Sequence, residues 1–308
     1  MRALVTGATG FVGRRLLGRL QQPVVLSRDA GRARRLLAAE GHQVEAHRWD
    51  PQSEPPPIEA LDGVEVVFHL AGEPVAEGRW TAAKKKRLRE SRVAGTRNLV
   101  QSLSRLAHKP RLLISASAVG FYGSRGDELL DESAAPGNDF LAEICAAWEA
   151  EALLARQHGI RVVCPRIGIV LGQGGGALAK MLVPFRYGLG SPLGSGRPWM
   201  PWIHIDDLVN AMLFAVEHQQ LAGPLNGAAP HPVTNRQFTK TLGKVLARPT
   251  ILPPVPGFML RLMLGEFGTV LLSSQRAIPK AAQDAGFEFQ FPSLEAALRD
   301  ILSSNRSS

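Results

Sequence analysis

Three glycines near the start of the chain have the spacing of a phosphate-binding turn. They follow the apolar run Ala3–Thr6 and precede a helix-forming stretch. Glycine lets such a turn adopt positive φ angles and lets the backbone approach a pyrophosphate, whose charge the amides of the helix N-terminus face. Since strand and helix flank the pattern as this chemistry requires, we predict a dinucleotide site formed by Gly7, Thr9, Gly10, Phe11, Val12 and Gly13.

The end of the second predicted strand indicates which dinucleotide binds. An NAD site usually places Asp or Glu there, to hold the ribose 2′-hydroxyl. This chain has Ser27 and Arg28 instead, followed by Asp29. A guanidinium suits a 2′-phosphate, which a carboxylate would repel. We therefore predict NADP (NADPH) as the cofactor, with NAD as the less favoured alternative because of Asp29.

Other strand ends supply further candidate contacts, because ligands of open α/β sheets bind outside the carboxyl ends of the strands. Asp50 follows the third strand and is a candidate for the adenine. Leu70, Ala71 and Gly72 follow the fourth and are small enough to let a cofactor pass. Arg166 follows the sixth and is expected to reach the phosphates or the substrate.

Apolar runs alternate with helix-like stretches through the first half of the chain, which indicates βαβ units and a parallel sheet. We predict strands at Ala3–Thr6, Val24–Ser27, Gln43–Arg48, Val64–Leu70, Leu112–Ser117 and Arg161–Pro165. We predict helices at Gly13–Leu20, Arg32–Glu40, Thr81–Leu106, Asp139–His158, Asp207–Glu217, Asn235–Leu246 and Leu294–Leu302.

The expected fold is α/β: a Rossmann-type doubly wound parallel sheet with a smaller α+β C-terminal substrate domain. Residues 1–165, with about 202–225, form the predicted NADP-binding domain. Residues 166–201 and 226–308 form the smaller domain, because the texture becomes rich in Gly and Pro after Gly172.

Composition limits the classes of function. The formal net charge is +9, and Lys84–Arg89 is the densest basic run, which we interpret as a solvated helix face. We expect a small-molecule substrate, no nucleic acid, no membrane and no metal, because no ligand cluster or long apolar run occurs. Cys145 and Cys164 are expected to be reduced thiols. Since Met1 leads straight into a strand, we expect a cytoplasmic protein; the oligomeric state stays open.

Five motifs, taken together, resemble the extended short-chain dehydrogenase/reductase superfamily of nucleoside-sugar epimerases and dehydratases. They are TGATGFVG (6–13), HLAG (69–72), ISASAVGFYG (114–123), PRIGIVLG (165–172) and WIHIDDLVNAM (202–212). LAGEPVAEGRW (70–80) and SQRAIPKAAQDAGFEF (274–289) are similar to an atypical epimerase-family subgroup. That subgroup carries a C-terminal domain of unknown function, which corresponds to about Pro249–Leu302.

The resemblance implies a catalytic Ser or Thr and a Tyr-x-x-x-Lys pair, whose Tyr exchanges a proton with the substrate while hydride moves. Ser117 matches the serine. Leu141 and Cys145 stand where the pair belongs, so the pair is missing. Tyr122 is the candidate replacement, with a packed aromatic ring as the alternative. His204 is expected to be structural more than catalytic, with Asp206 and Asp207 capping the next helix.

Arg92 stands where the superfamily usually has Asn. It is a candidate cofactor contact, with a structural salt bridge as the alternative. Two functions follow from the whole pattern. The first is an NADP-dependent oxidoreductase or epimerase-like enzyme acting on a small or sugar-derived substrate. The second is a non-catalytic NADP-binding regulatory or scaffold protein, with a link to cell division implied by related members.

Overall fold

A parallel β-sheet forms the centre of the molecule, as predicted. The structure is a computed structural model that describes residues 1–303. The strands are β1 (Ala3–Thr6), β2 (Val24–Ser27), β3 (Glu45–Arg48), β4 (Val66–His69), β5 (Leu112–Ser115), β6 (Ser117–Ala118), β7 (Leu129–Leu130), β8 (Arg161–Ile167), β9 (Ile169–Leu171), β10 (Trp199–Met200), β11 (Trp202–His204), β12 (Gly223–Gly227), β13 (Val233–Thr234) and β14 (Arg276–Ala277). The sheet runs β12-β8-β5-β4-β1-β2-β3, with β6 beside β8.

Helices cover both faces of this sheet and extend beyond it. They are α1 (Phe11–Leu17), α2 (Ala30–Ala39), α3 (Ile58–Leu61), α4 (Ala82–Ser104), α5 (Phe140–Leu153), α6 (Gly176–Arg186), α7 (Ile205–Glu217), α8 (Asn235–Leu246), α9 (Gly257–Leu264), α10 (Phe267–Val270), α11 (Lys280–Asp284) and α12 (Leu294–Ser303). None of the described helices combines the length and apolar composition needed to cross a bilayer.

Burial on both faces explains why the strands are apolar runs without alternation. Successive side chains of a strand point to opposite faces. Ala3 and Val5 of β1 therefore pack in one core cluster, with Met212 of α7. Leu4 packs in the other, with Leu99 of α4. Because each face of β1 meets a helix, neither face needs polar residues.

The predicted caps of α7 were wrong. His204 caps this helix, because its Nδ1 accepts the amide of Asp206 at 3.1 Å. The Asp206 carboxylate instead pairs with Arg15 of α1. The Asp207 carboxylate accepts the amides of Gln290 and Phe291 at 2.8 and 2.9 Å. Both carboxylates thus join distant segments to α7, which no local capping pattern signals.

A third apolar cluster lies beside the sheet and contains side chains of α6, α8 and α12, among them Leu178, Leu242 and Leu298. The Asp207 contacts attach the segment leading to α12. The predicted division of the chain into two domains stays a prediction. The strand expected to end at Pro165 runs on to Ile167 and pairs there with β12.

A buried ion pair joins α5 to β8. Both carboxylate oxygens of Glu149 accept from Arg166, at 2.9 Å from Nε and 2.9 Å from Nη2. The two side chains are 7% and 4% exposed, so water screens the pair little. Burial acts to lower the pKa of Arg166, but the Glu149 hydrogen bonds and charge outweigh it and hold this pKa above its ordinary value. The guanidinium therefore stays charged.

A buried histidine joins β4 to β1 and to α4. His69 Nδ1 lies 2.8 Å from Thr6 Oγ1, and Nε2 lies 3.0 Å from Thr96 Oγ1. Thr6 Oγ1 also accepts the amide of Ala71 at 3.1 Å. Burial lowers the pKa of His69 to about 4, so the ring is neutral near pH 7.

Replacing Glu149 with Ala should destabilise the fold strongly, because Arg166 would remain buried without its counter-ion. We expect a loss of about 3–5 kcal/mol in the free energy of unfolding, measured by urea titration of tryptophan fluorescence. Glu149→Met combined with Arg166→Met should recover much of that loss. Asp284→Asn, which removes an exposed i,i+4 pair with Lys280, serves as the control. A Glu149→Ala variant as stable as Asp284→Asn would contradict this role.

His69 should make the fold sensitive to mild acid. Its pKa is about 4 in the folded state and 6.5 as its ordinary value, so the unfolded chain takes up the proton first as the pH falls. The free energy of unfolding should therefore keep its full value above about pH 6.5 and should fall by about 3 kcal/mol towards pH 4. The measurement is the free energy of unfolding against pH. His69→Gln should lose this slope, and an equal slope in both proteins would refute the assignment.

Candidate nucleotide-binding and active site

The glycine turn lies at the carboxyl end of β1, where the chain crosses between the two halves of the sheet. Gly7 has a φ of +70°, and a Cβ there would lie 2.8 Å from the carbonyl carbon and oxygen of Leu70. The Gly10 amide donates to Gly7 O at 2.9 Å. A Cβ on Gly13 would lie 2.3 Å from Gly7 O. The turn therefore closes against β4 and against α1 only with glycine at these positions.

A cleft of about 410 Å³ opens over this turn and runs along the carboxyl ends of β1, β2 and β4. Nine of the predicted cofactor residues line it: Gly7, Thr9, Gly10, Ser27, Arg28, Asp50, Leu70, Ala71 and Gly72. Gly13 is buried beneath the turn. Phe11 and Val12 are half-buried at the start of α1. The N-terminus of α1 adjoins the cleft, where its amides favour an anion.

At the β2 end of the cleft, Arg28 offers a cation, whereas the carboxylate of Asp29 is engaged in capping a helix. Arg28 is exposed and lines the cleft. The Asp29 carboxylate caps α2, where its Oδ1 accepts the amide of Arg32 at 2.8 Å. Ser27 Oγ donates to the Asp29 carbonyl at 3.2 Å. This local capping accounts for Asp29, the residue that kept NAD as an alternative in the sequence.

The basic run on α4 is only partly a solvated face, which corrects the expectation for its first residue. Lys84 is 5% exposed, and its Nζ donates to Glu73 at 2.8 Å. Arg87 lines the cleft, with its Nε 3.6 Å from the same carboxylate. Ser91, one helical turn further, donates to Leu88 O and accepts the Glu73 amide at 3.1 Å. α4 therefore holds the loop after β4 through Glu73.

Arg92 holds the same loop from below. Its Nη1 donates to Leu88 O and its Nη2 to Glu73 O, both at 3.1 Å. The guanidinium lies 5.2 Å from the ring centre of Trp148 and against Gly72. Burial lowers its pKa. The partners of Arg92 are thus two carbonyls and an aromatic ring. They are neither the carboxylate of a salt bridge nor a cofactor, the two partners that the sequence suggested.

Ser117, Tyr122 and Arg166 meet in one buried network around Glu149, away from the residues that line the cleft. Ser117 is 3% exposed and donates to Glu149 Oε1 at 2.6 Å. Arg166 Nη1 donates to Tyr122 Oη at 3.0 Å. Tyr122 is 0% exposed and donates to Asn226 Oδ1 at 2.7 Å. Each of the three side chains that the sequence assigned to chemistry or to phosphate has its polar atoms engaged by protein groups.

This geometry does not meet the sequence-based expectations for these three residues. The guanidinium of Arg166 donates to Glu149, Tyr122 and the Glu132 carbonyl. It therefore does not extend towards the phosphates of a dinucleotide. Burial raises the pKa of Tyr122 to about 12, which leaves a weak acid in a closed network. The sequence carries no signal that Glu149 is the partner of Ser117 and Arg166, because no motif marks this residue of α5.

The positions of the missing Tyr-Lys pair carry no acid or base. Leu141 Cβ lies 3.4 Å from where a Cβ on Gly120 would be, and Cys145 Sγ lies 3.9 Å from it. Cys145 is 4% exposed, and burial raises its pKa to about 12. Both cysteines are free and buried, as expected for reduced thiols. The helix that carries the pair in the resembled superfamily corresponds to α5, which contains glutamates but no tyrosine or lysine here.

The ring of Phe11 joins the glycine turn to the start of α6. A Cβ on Gly175 would lie 2.5 Å from this ring, and one on Gly172 or Gly176 would lie 2.8 or 2.9 Å from it. The three glycines leave space for one aromatic side chain. Phe11 therefore serves packing between the two parts of the site, a contact that the glycine motif itself did not indicate.

Several cleft residues were missed by the sequence interpretation: Ala8, Pro51, Gln52, Glu73, Pro74, Arg87 and Ser91. The helical spacing of Arg87 and Ser91 could have placed them on one face with Lys84. The others lie in loops, where no periodicity reports which side chain faces the cleft.

Comparison with known proteins agrees with this geometry. Residues 3–226 match the NAD dependent epimerase/dehydratase family, and residues 255–301 match a domain of unknown function, DUF1731. The chain is 40% identical to the Arabidopsis thaliana chloroplastic homolog of epimerase family protein SDR39U1, covering 98% of this chain and 87% of that protein. It is 36% identical to epimerase family protein YfhF of Bacillus subtilis, covering 99% of each.

A solved structure extends the likeness to three dimensions. The crystal structure of human epimerase family protein SDR39U1 (isoform 2) with NADPH superimposes with a TM-score of 0.86 at 32% identity, covering 98% of this chain and 99% of that one. The family model covers most of the chain, and these relatives match along nearly its whole length. This chain belongs to the NAD dependent epimerase/dehydratase family.

Proposed function

We propose that the chain binds NADPH in the cleft over the Gly7 turn. The observation that carries this proposal is the β2 end of the cleft, where Arg28 is free and the Asp29 carboxylate caps α2. A 2′-phosphate would meet a cation there, whereas a 2′-hydroxyl would lack the usual carboxylate acceptor. The human relative whose crystal structure contains NADPH supports the same cofactor.

We further propose that the protein is an NADP-dependent oxidoreductase or epimerase-like enzyme with a small, sugar-derived substrate. The bound cofactor would supply hydride transfer at its nicotinamide. The chain's own part is to bind and orient the dinucleotide through the Gly7 turn and through the Glu73 loop that Lys84 and Arg92 hold. No tyrosine and lysine stand at the family positions, so the proton would come from water or from the substrate.

The alternative is a non-catalytic NADPH-binding regulatory or scaffold protein, connected with cell division. One observation favours it: the hydroxyls of Ser117 and Tyr122 are both committed to the Glu149–Arg166 network. A sensor needs the cofactor cleft and no acid or base beside it.

Arg28→Ala should weaken NADPH binding by about tenfold to a hundredfold, because a charge-assisted contact contributes about 1.5–3 kcal/mol. Binding of NADH should stay unchanged, since NADH lacks the 2′-phosphate. The measurement is the dissociation constant of each dinucleotide by titration of protein fluorescence.

Arg35→Ala is the matched control, because Arg35 is an exposed cation of the following helix that does not line the cleft. It should leave both dissociation constants unchanged. Equal losses for NADPH and NADH in Arg28→Ala, or equal losses in the two variants, would contradict a 2′-phosphate contact.

Turnover separates the two functions. If the protein is an enzyme, a screen of sugar nucleotides and small carbonyl compounds should yield a substrate-dependent change in NADPH absorbance. Its rate should be nearly constant between about pH 6 and pH 9, because Tyr122 and Cys145 titrate near 12 and His69 near 4. A protein that binds NADPH and turns over none of these compounds favours the regulatory function. A rate governed by one protein group near pH 7 contradicts the proposed source of the proton.

A further inference from the structure

Exposed apolar side chains concentrate in one part of the molecule. Among the described residues, 14 large apolar side chains are exposed, and nine of them lie in residues 183–189 and 251–263. The most exposed are Tyr187, Ile251, Phe258, Leu262 and Met263, at 66–87%. Since scattered exposed apolar residues are ordinary but clusters mark interaction sites, this concentration needs a partner. We call residues 183–189 and 251–263 the α6–α9 surface.

The segment that directly follows the first stretch runs beside the second. Leu193 and Val255 form a parallel bridge, the Val255 amide donates to Pro192 O at 2.8 Å, and Ser191 Oγ donates to Pro253 O at 2.5 Å. Leu189 lies two residues before Ser191, and Ile251 lies two residues before Pro253, so these two exposed apolar residues flank the same contact. The apolar residues after α6 and before α9 therefore form one surface.

Helix α9 extends this surface with one face. Phe258, Met259, Leu262 and Met263 are 42–74% exposed and have the i, i+1, i+4, i+5 spacing of a single helical face. Leu260 is the buried residue of the helix, at 7%. The wide apolar face of α9 therefore points to solvent, whereas the apolar face of a surface helix ordinarily packs against the core.

Within the two stretches every charged side chain is an arginine, and the adjoining loop after β4 carries the exposed acid Glu77. Residues 152–205 and 218–265, which include both stretches, contain no aspartate or glutamate. Arg186, Arg248 and Arg261 are exposed within or beside the two stretches. The next carboxylate along the chain, Glu266, is engaged by Lys85. Apolar side chains with arginines and without acids match the chemistry of an anionic lipid surface, where the aliphatic groups enter and the cations meet phosphates.

We propose that the α6–α9 surface docks the protein peripherally on membranes that contain anionic phospholipids. This departs from the sequence-based expectation of no membrane contact. It requires no spanning helix, and it does not depend on the cofactor. The surface adjoins the loop after β4, because Arg79 donates to Leu262 O at 3.0 Å and Lys180 to Ala76 O at 3.4 Å. Docking would hold the cleft beside the lipid.

Two other occupants fit the charges less well. A second copy joined about a twofold axis would set the α6–α9 surface against itself. Its arginines would then face a surface whose two stretches contain no carboxylate to pair with them. A nucleic acid would use the arginines but not the aliphatic Ile251, Leu262 and Met263, since bases stack on aromatic rings.

The test is flotation of the full-length protein with vesicles of phosphatidylcholine alone and of phosphatidylcholine with about 30 mol% phosphatidylglycerol. We expect binding to the anionic vesicles only. Phe258→Ser combined with Leu262→Ser should lower the bound fraction about tenfold or more. Arg248→Gln combined with Arg261→Gln should lower it as well and reduce its salt dependence.

Ile58→Ser is the matched control, because Ile58 is an equally exposed apolar residue, at 71%, on a different part of the molecule. It should bind as the unchanged protein does. NADPH binding, measured in every variant, verifies that the fold is intact. Absence of binding to anionic vesicles overturns the proposal, as does binding that the Phe258/Leu262 variant retains. A dimer in solution that this variant dissociates would assign the surface to a second copy instead.

Discussion

The ion pair between Glu149 and Arg166 is the interaction on which the centre of the molecule depends. It lies where α5 meets β8, and each partner also binds residues of other segments. Glu149 accepts from Ser117 of β6, and Arg166 reaches Tyr122 and the Glu132 carbonyl. Since an unpaired buried charge is far more costly than an unpaired surface charge, these segments cannot move independently. The pair therefore fixes how α5 packs against β8.

This constraint separates the two ends of the site. At the nucleotide end, glycines and small residues leave backbone amides and Arg28 open to a ligand. At the other end, the polar side chains bond to one another, and Leu141 and Cys145 stand in place of acid and base. A site of this kind is well suited to holding a dinucleotide.

Local rules explain why the sequence could place the glycine turn and Arg28 at one cleft. The spacing of Gly7, Gly10 and Gly13 reports a turn, and Ser27–Arg28 reports the end of a strand. The roles of Glu149 and Asp207 were out of reach, since each depends on partners far away in the chain. Arg166 shows the same limit: its place at a strand end was predicted, but the carboxylate that occupies it comes from α5. Lys84 was predicted to be solvated because the sequence does not show that Glu73, from the loop after β4, is its partner.

The packing of Phe11 against Gly172, Gly175 and Gly176 has a consequence for how this family can vary. At Gly175 the only atoms that a Cβ would meet closely are those of the Phe11 ring, so a side chain there requires a smaller residue at position 11. Single changes on either side should be harmful, whereas the matching pair should be tolerated. Position 11 and the loop before α6 are thus expected to vary together among relatives, although more than 150 residues of sequence separate them.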